Sequence, residues 1–235
     1  MRWSVVRRFV DEVHPSTILE IGCGQGSFGS RLAQRATYLG VEPDPISYAV
    51  AASRIEPVGG EVRNQFAADL EPGRTFDLVC AFEVVEHLED DLGAVASWRQ
   101  FVAPGGSLLV SMPAWQERFN HWDTMVGHYR RYSPDQCVSL LTKAGYTDVR
   151  VVVYGWPLGY ATENVRSRIA ARRGSANESG TAASMADRTA GSGRVLQPKA
   201  IAGRAVHAAS LPFAGLQRLR PTRGTGVVAL ATRPV

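Results

Sequence analysis

The sequence predicts a doubly wound α/β domain built on a seven-stranded, mostly parallel sheet. Two observations predict it. Short apolar runs of strand length alternate with amphipathic helical patterns from Thr17 to Val153, the signature of a parallel sheet covered by helices on both faces. One of these runs, Ile18-Leu-Glu-Ile21, turns abruptly into Gly22, Gly24 and Gly26 before the helical pattern of Arg31 to Arg35. Three missing Cβ atoms let the backbone bend and a ligand come close, and the helix that follows points free N–H groups into the same crevice. Such a turn favours a nucleoside-bearing cofactor. Gly24-x-Gly26-x-x-Gly29 also satisfies the dinucleotide fingerprint. Glu20 tells the two apart, because a carboxylate at the end of the strand would repel a pyrophosphate and attract a sulfonium or an amino group.

In chain order, Trp3, Val6, Phe9, Val10 and Val13 fall at helical spacing, a short helix that caps the sheet. Strand one is Thr17 to Ile21, followed by a helix over Ser27 to Ala36 and strand two over Tyr38 to Val41, which ends on Glu42-Pro43-Asp44. An acidic residue at the end of the second strand can hold both hydroxyls of a ribose. Glu42 is the ribose candidate, and Asp44, between two prolines, reads equally as a turn residue and helix cap. A helix over Ile46 to Arg54 leads to strand three, Val62 to Ala67, which ends on Ala68-Asp69-Leu70. Strand four is Phe76 to Phe82. The stretch after it, Glu83-Val-Val-Glu-His-Leu88, if helical, puts Glu83, Glu86 and His87 on one face, a set able to hold a divalent metal.

A helix over Leu92 to Val102 and the turn Ala103-Pro-Gly-Gly106 precede strand five, Ser107 to Ser111. Ala114 to Ser133 is crowded with aromatic and basic groups and follows a strand's carboxyl end, so it can wall an acceptor pocket. Within it Arg130 and Arg131 either clamp a phosphate or carboxylate or are salt-bridged. Ser133-Pro134-Asp135 reads as a helix N-cap, with the helix running to Ala144 and stopping at Gly145. Strand six is Asp148 to Val153 and the final strand Gly226 to Thr232. The long connection between them reads as a helix over Tyr160 to Arg172, a mobile Gly-, Ala- and Ser-rich stretch over 173–193, and a basic amphipathic helix over Pro198 to Leu219. The expected organisation is a cofactor-binding core over 1–153, a basic helical insertion over 154–225 serving as an acceptor lid, and a last core strand over 226–235.

Composition narrows the setting. The net charge of +4 hides a division: residues 1–149 carry 13 Lys and Arg against 19 Asp and Glu, a balance of −6, and residues 150–235 carry 13 against 3, a balance of +10. The basic half points to an anionic partner. Cys23, Cys80 and Cys137 have no paired spacing, which fits a reducing compartment. Without an apolar span of membrane length, the chain reads as cytoplasmic, and its Arg-rich helices offer at most a weak contact with an anionic membrane surface.

Glu20-Ile-Gly-Cys-Gly-Gln-Gly26 resembles the first motif of the class I S-adenosylmethionine-dependent methyltransferases, and Pro104-Gly-Gly106 is a second recurrent feature of that superfamily. The resemblance implies a Rossmann-like sheet whose last strand is antiparallel, with S-adenosyl-L-methionine at the carboxyl ends of strands one to four. It brings Glu20, Gly22, Cys23, Gly24, Gly26, Glu42, Pro43, Asp69, Leu70 and Phe82 to the cofactor, Asp69 at the adenine amino group and Leu70 on the ring. Glu83-x-x-Glu86-His87, with His128 in Gly127-His-Tyr-Arg-Arg-Tyr132, resembles the metal-dependent branch that includes small-RNA 2′-O-methyltransferases and ubiquinone-pathway O-methyltransferases. That implies a divalent metal ion on Glu83, Glu86, His87 and His128. Without a metal, His87 and His128 become the bases at the acceptor. His121 is a weaker candidate, and His14 and His207 read as surface histidines. The expected reaction is O-methylation of a small-molecule, lipid-linked or sugar-linked (glycan) acceptor. RNA 2′-O-methylation and a non-catalytic, cofactor-binding partner subunit are the alternatives, with nucleic acid the less favoured partner.

Overall fold

The computed structural model describes residues 1–174 and 217–235. Its strands are β1 (Thr17–Ile21), β2 (Thr37–Val41), β3 (Glu61–Arg63), β4 (Phe76–Phe82), β5 (Val102–Pro113), β6 (Thr147–Gly155) and β7 (Gly224–Thr232). They form one sheet in the order β3-β2-β1-β4-β5-β7-β6. β1 pairs in parallel with both β2 and β4, and β7 is antiparallel to β5 and β6. The sheet reverses its direction of growth between β1 and β4, so the crevice at their carboxyl ends is where this architecture holds ligands.

The helices are α1 (Arg2–Val13), α2 (Gly29–Leu32), α3 (Pro45–Ile55), α4 (Asp91–Trp98), α5 (His121–Val126), α6 (Pro134–Lys143) and α7 (Leu158–Gly174). Both faces of the sheet are buried. Along β4, Leu78, Cys80 and Phe82 join a core with Val6, Phe9 and Val10 of α1 and Ala51 and Ile55 of α3. The alternate residues Val79 and Ala81 join the core of Val95 and Trp98 of α4 and Leu140 and Leu141 of α6, as the two-residue period of a strand requires. Local chemistry sets the helix starts. Asp44 accepts from the Ser47 N–H at 2.9 Å with Pro45 opening α3, and Ser133 caps α6 by accepting from Gln136 at 3.2 Å.

Four expectations change. The helix after the glycines shrinks to Gly29–Leu32, and β3 to three residues. The Ala103-Pro-Gly-Gly106 turn lies inside β5 as a bulge, since Phe76 and Leu78 pair with Val102 and Ser107; Gly105 and Gly106 exchange backbone hydrogen bonds with Arg233. The run after β4 makes a single 3-10 turn, Val85–His87, and no α-helix. In the β6–β7 connection α7 is present, and a 3-10 turn spans Gln217–Leu219. The 173–193 stretch beyond Gly174 and the helix expected from Pro198 lie outside the described residues, as does His207. Among the described residues no helix is long and apolar enough to cross a membrane.

Candidate functional site

The crevice begins where β1 ends. Gly22 and Cys23 donate their N–H groups to the Val41 carbonyl at 2.9 and 3.1 Å, drawing the loop across the end of β2. Gly22, Gly24 and Gly26 have φ of 66°, 54° and 74°, the left-handed region that glycine enters without a Cβ clash. Their surroundings differ. A Cβ on Gly22 would stand 2.8 Å from Val84 Cγ2, and one on Gly26 3.0 Å from Ala51 Cα, whereas one on Gly24 would meet nothing within 4 Å. The outer two glycines permit close packing, and the middle one faces open space.

Glu42 holds this loop. Its Oε2 accepts from Gly24 N–H at 2.8 Å and its Oε1 from Asp44 N–H at 3.0 Å, while the Asn64 amide donates to the Glu42 and Pro43 carbonyls. Burial raises the Glu42 pKa against those two N–H donors. Asn64 was not apparent from sequence because its partners are backbone carbonyls. Glu20 is 2% exposed and accepts from the Tyr38 hydroxyl at 2.7 Å. That hydroxyl passes over Gly40, the register partner of Glu20, where a Cβ would lie 2.8 Å from it. Burial pushes the Glu20 carboxyl up to about 8, with the Tyr38 bond and the Arg2 charge only partly opposing.

The remaining cofactor candidates lie around the same edge. Asp69 is exposed and turns back to accept from Phe66 N–H at 3.1 Å. Leu70 and Cys23 are buried in the two cores, and Pro43 is exposed. Phe82 meets Phe28 edge-on at 5.0 Å, and Phe28 meets Trp3 of α1 at 5.3 Å. Thus α1 carries its first turn to the mouth of the crevice as well as covering the sheet.

At the other side, Glu83 leaves β4 with φ 59° and donates its N–H to the Ser111 carbonyl at 2.9 Å. Its carboxylate pairs with Arg2 at 2.7 Å and accepts from Ser111 Oγ at 3.1 Å. Burial would raise its pKa, but the Arg2 and His128 charges and the Ser111 bond hold it below the usual range. Glu86, one 3-10 turn on, is fully buried, and neither carboxylate oxygen has a hydrogen-bond partner. Desolvation, then repulsion from Glu83, drives its pKa well up.

Two imidazoles face it. His87 Nδ1 lies 3.2 Å from the Gly127 carbonyl, so Nδ1 carries the proton and Nε2 keeps its lone pair. His128 Nδ1 lies 2.7 Å from Asp123 Oδ1, and its Nε2 stands 3.8 Å from Glu86 Oε1. The rings are 4.7 Å apart and nearly perpendicular. Burial and the neighbouring His128 hold His87 down at about 4, a neutral ring at physiological pH. One ligand atom each from Glu86, His87 and His128 lies within 4.8 Å of the others. An orphaned carboxylate and two imidazoles, each with its Nδ1–H engaged elsewhere, suit a divalent metal. Glu83 stands outside this set, committed to Arg2 and Ser111.

Backbone contacts bring His128 here. Helix α5 ends on Gly127 at φ 82°, and Tyr129 N–H donates to the Glu86 carbonyl at 2.8 Å. Asp123 is fully buried and takes both His128 and Arg131. Asp123 also closes a capping box at the start of α5, accepting from the Asn120 N–H at 2.9 Å. Of the two readings open for the arginines, the salt-bridged one holds: Arg130 pairs with Asp91 at 3.0 Å and Arg131 with Asp123 and Glu163. His121 and His14 are exposed.

A family model described as a methyltransferase domain matches residues 4–151. The ubiquinone biosynthesis O-methyltransferase of Cereibacter sphaeroides is 28% identical over 188 residues, 64% of this chain and 74% of that protein. Its namesake in Azorhizobium caulinodans is 39% identical over 98 residues, 40% and 39% of the two chains. A probable S-adenosylmethionine-dependent methyltransferase of Mycobacterium tuberculosis is 32% identical over 149 residues, 62% of this chain and 54% of that protein, so the match spans only part of these last two relatives. In fold, the chain is similar to the N-methyltransferase NodS of Bradyrhizobium japonicum in complex with S-adenosyl-L-homocysteine (TM-score 0.59, 16% identity, 99% of this chain and 85% of that one). It is also similar to Haemonchus contortus phosphoethanolamine N-methyltransferase 2 (TM-score 0.61, 18% identity, 99% and 52%).

Proposed function

The chain belongs to the methyltransferase-domain family, and we propose that it methylates a hydroxyl oxygen of a small, lipid-linked or sugar-linked acceptor beside Glu86, His87 and His128. S-adenosylmethionine supplies a methyl group already activated on a sulfonium, so the protein's task is alignment and removal of one proton. On this reading Glu42 takes the ribose hydroxyls, Asp69 the adenine amino group and Glu20 the cationic end, with Gly24 leaving room for the cofactor's approach. Glu86 and the Nε2 atoms of His87 and His128 would hold a divalent metal, which when bound would lower the pKa of the acceptor hydroxyl. His87, held neutral, serves as a ligand. In the absence of a metal, His128, with its Nδ1–H on Asp123, is the group whose free Nε2 receives the proton.

One observation carries the proposal: the buried Glu86 carboxylate with two unpartnered oxygens opposite two imidazoles. A buried carboxyl group without a hydrogen-bond partner costs about 1–3 kcal/mol, and a bound cation would give its oxygens a partner. Relatives named as ubiquinone biosynthesis O-methyltransferases support an oxygen acceptor. The commitment of Arg130 and Arg131 to ion pairs weighs against a phosphate-rich acceptor such as RNA. Three free, buried cysteines support a reducing, cytoplasmic setting.

The test is calorimetric titration of metal-stripped protein with Mg, Mn, Fe(II) and Zn salts, repeated on Glu86→Ala and His128→Ala. Binding that both substitutions abolish is expected. Binding by none of the four ions, or binding indifferent to both substitutions, would remove the metal and leave His128 as the base.

A further inference from the structure

Five groups, drawn from α7 and from the segment between β5 and α6, form one line of contacts, four of them charges of alternating sign and the last an imidazole. Arg118 pairs with Glu163, Glu163 with Arg131, Arg131 with Asp123, and Asp123 with the Nδ1–H of His128. The inner members are buried: the side chains of Asp123 and Arg131 are 1% and 4% exposed, and that of Glu163 is 12% exposed. Arg131 uses its planar fork fully. Nε donates to Asp123 Oδ1 at 2.9 Å, Nη2 to Oδ2 at 2.6 Å, and Nη1 to Glu163. A guanidinium so held on three edges has one orientation. That orientation fixes Asp123, because Oδ1 is shared between Arg131 Nε and His128 Nδ1.

We propose that Glu163 is a positioning residue for His128, so that the docking of α7 sets how His128 presents Nε2 to the reacting site. The proposal deepens the functional reading above and rests on His128 belonging to that site. Glu163 belongs to α7, in the connection between β6 and β7, and is remote in sequence from Glu86, His87 and His128. Its two oxygens take different arginines: Oε2 accepts from the partly exposed Arg118, which lies over Tyr160, and Oε1 from the buried Arg131. With Glu163 present, Arg131 divides its charge between two carboxylates. With Glu163 removed, the whole guanidinium charge falls on Asp123 and weakens that carboxylate as an acceptor for His128 Nδ1–H. A simple anchor for α7 would have no such effect on the ring.

The test uses the full chain, metal-free and labelled with 15N in its histidine rings, and follows the Nδ1–H resonance of His128, assigned by its loss in His128→Gln. In the wild type this proton is expected far downfield, as a hydrogen bond to carboxylate requires. Glu163→Ala is expected to lose it to solvent exchange. Glu163→Gln, which keeps an acceptor for Arg131 but not the charge, is expected to retain it at a shifted position. Arg118→Ala loosens the outer end of the same contact and should lower the melting temperature while leaving the resonance in place. An unmoved resonance in both Glu163 variants would overturn the proposal and reduce Glu163 to an anchor; should the alanine variant not fold, the glutamine variant decides alone. Failure of the functional reading shows elsewhere, in metal titration and methyl transfer of the wild type, neither of which enters this measurement.

Discussion

Three glycines share one conformation at the head of the crevice and have different neighbours, which separates their roles. In Gly26→Ala the new Cβ presses on the Ala51 backbone and Ile55, so the melting temperature should fall. In Gly24→Ala the cost to folding is the left-handed backbone alone, about 1–2 kcal/mol, while the methyl group occupies the space where the cofactor must approach. We therefore expect Gly24→Ala to lose more affinity for S-adenosylhomocysteine than its stability loss explains, and Gly26→Ala the reverse. Equal effects of the two on binding would contradict this assignment. Glu20 gives a pH prediction. Its carboxyl is pushed up to about 8 from an ordinary 4.5 by burial, so the folded chain holds a proton that the unfolded chain releases between those values. Its contribution to stability is full below 4.5 and is lost as pH rises toward 8. Denaturant midpoints across that window should fall with pH in the wild type and fall less steeply in Glu20→Gln; an unchanged slope would place the titration elsewhere. The placement of Glu20, Glu42 and the glycines at one edge of the sheet was legible in the sequence because each lies in or just after one of two adjacent, parallel apolar strands. The partners Tyr38 and Asn64 were not, because each reaches across the sheet to its neighbour.

At the scale of elements, the strands were read within a few residues, since buried parallel strands are continuous apolar runs. The run after β4 has helical spacing at Glu83, Glu86 and His87, but the Glu83 N–H donates to the Ser111 carbonyl and that residue turns left-handed, a contact 28 positions away in the chain that no local pattern carries. The result changes the site: Glu83 peels away to Arg2, and Glu86 and His87 remain facing His128. In the segment from Ala114 to Ser133, Arg131 braces the chain through Asp123 and Glu163, and Arg130 ties it to Asp91 of α4. Asp123 is the hub of that bracing. Asp123→Ala leaves the buried Arg131 with one carboxylate fewer, and breaking a buried pair costs about 3–5 kcal/mol, to be measured by urea denaturation. A loss below about 1 kcal/mol, the scale of an exposed pair, would show that the pairing is not buried in solution.

Across the whole molecule, the strand order places the glycine loop, the acidic ends of β2 and β4 and the Glu86–His87–His128 cluster at one edge of one sheet. The two halves of the site come from opposite sides of the switch between β1 and β4, which is how an activated methyl group and an acceptor can be presented to each other. Topology was legible because repeated strand and helix patterns leave few right-handed ways to connect them. The link from α7 to His128 was not, since ion pairs between distant segments leave no periodicity. This edge is expected to bind the methyl donor independently of Glu86, His87 and His128, and calorimetric titration with S-adenosylhomocysteine tests that claim most directly. We expect the wild type to bind the compound, Glu42→Ala to bind it far more weakly, and Glu86→Ala to bind it as the wild type does. No binding by the wild type, or undiminished binding by Glu42→Ala, would contradict the claim.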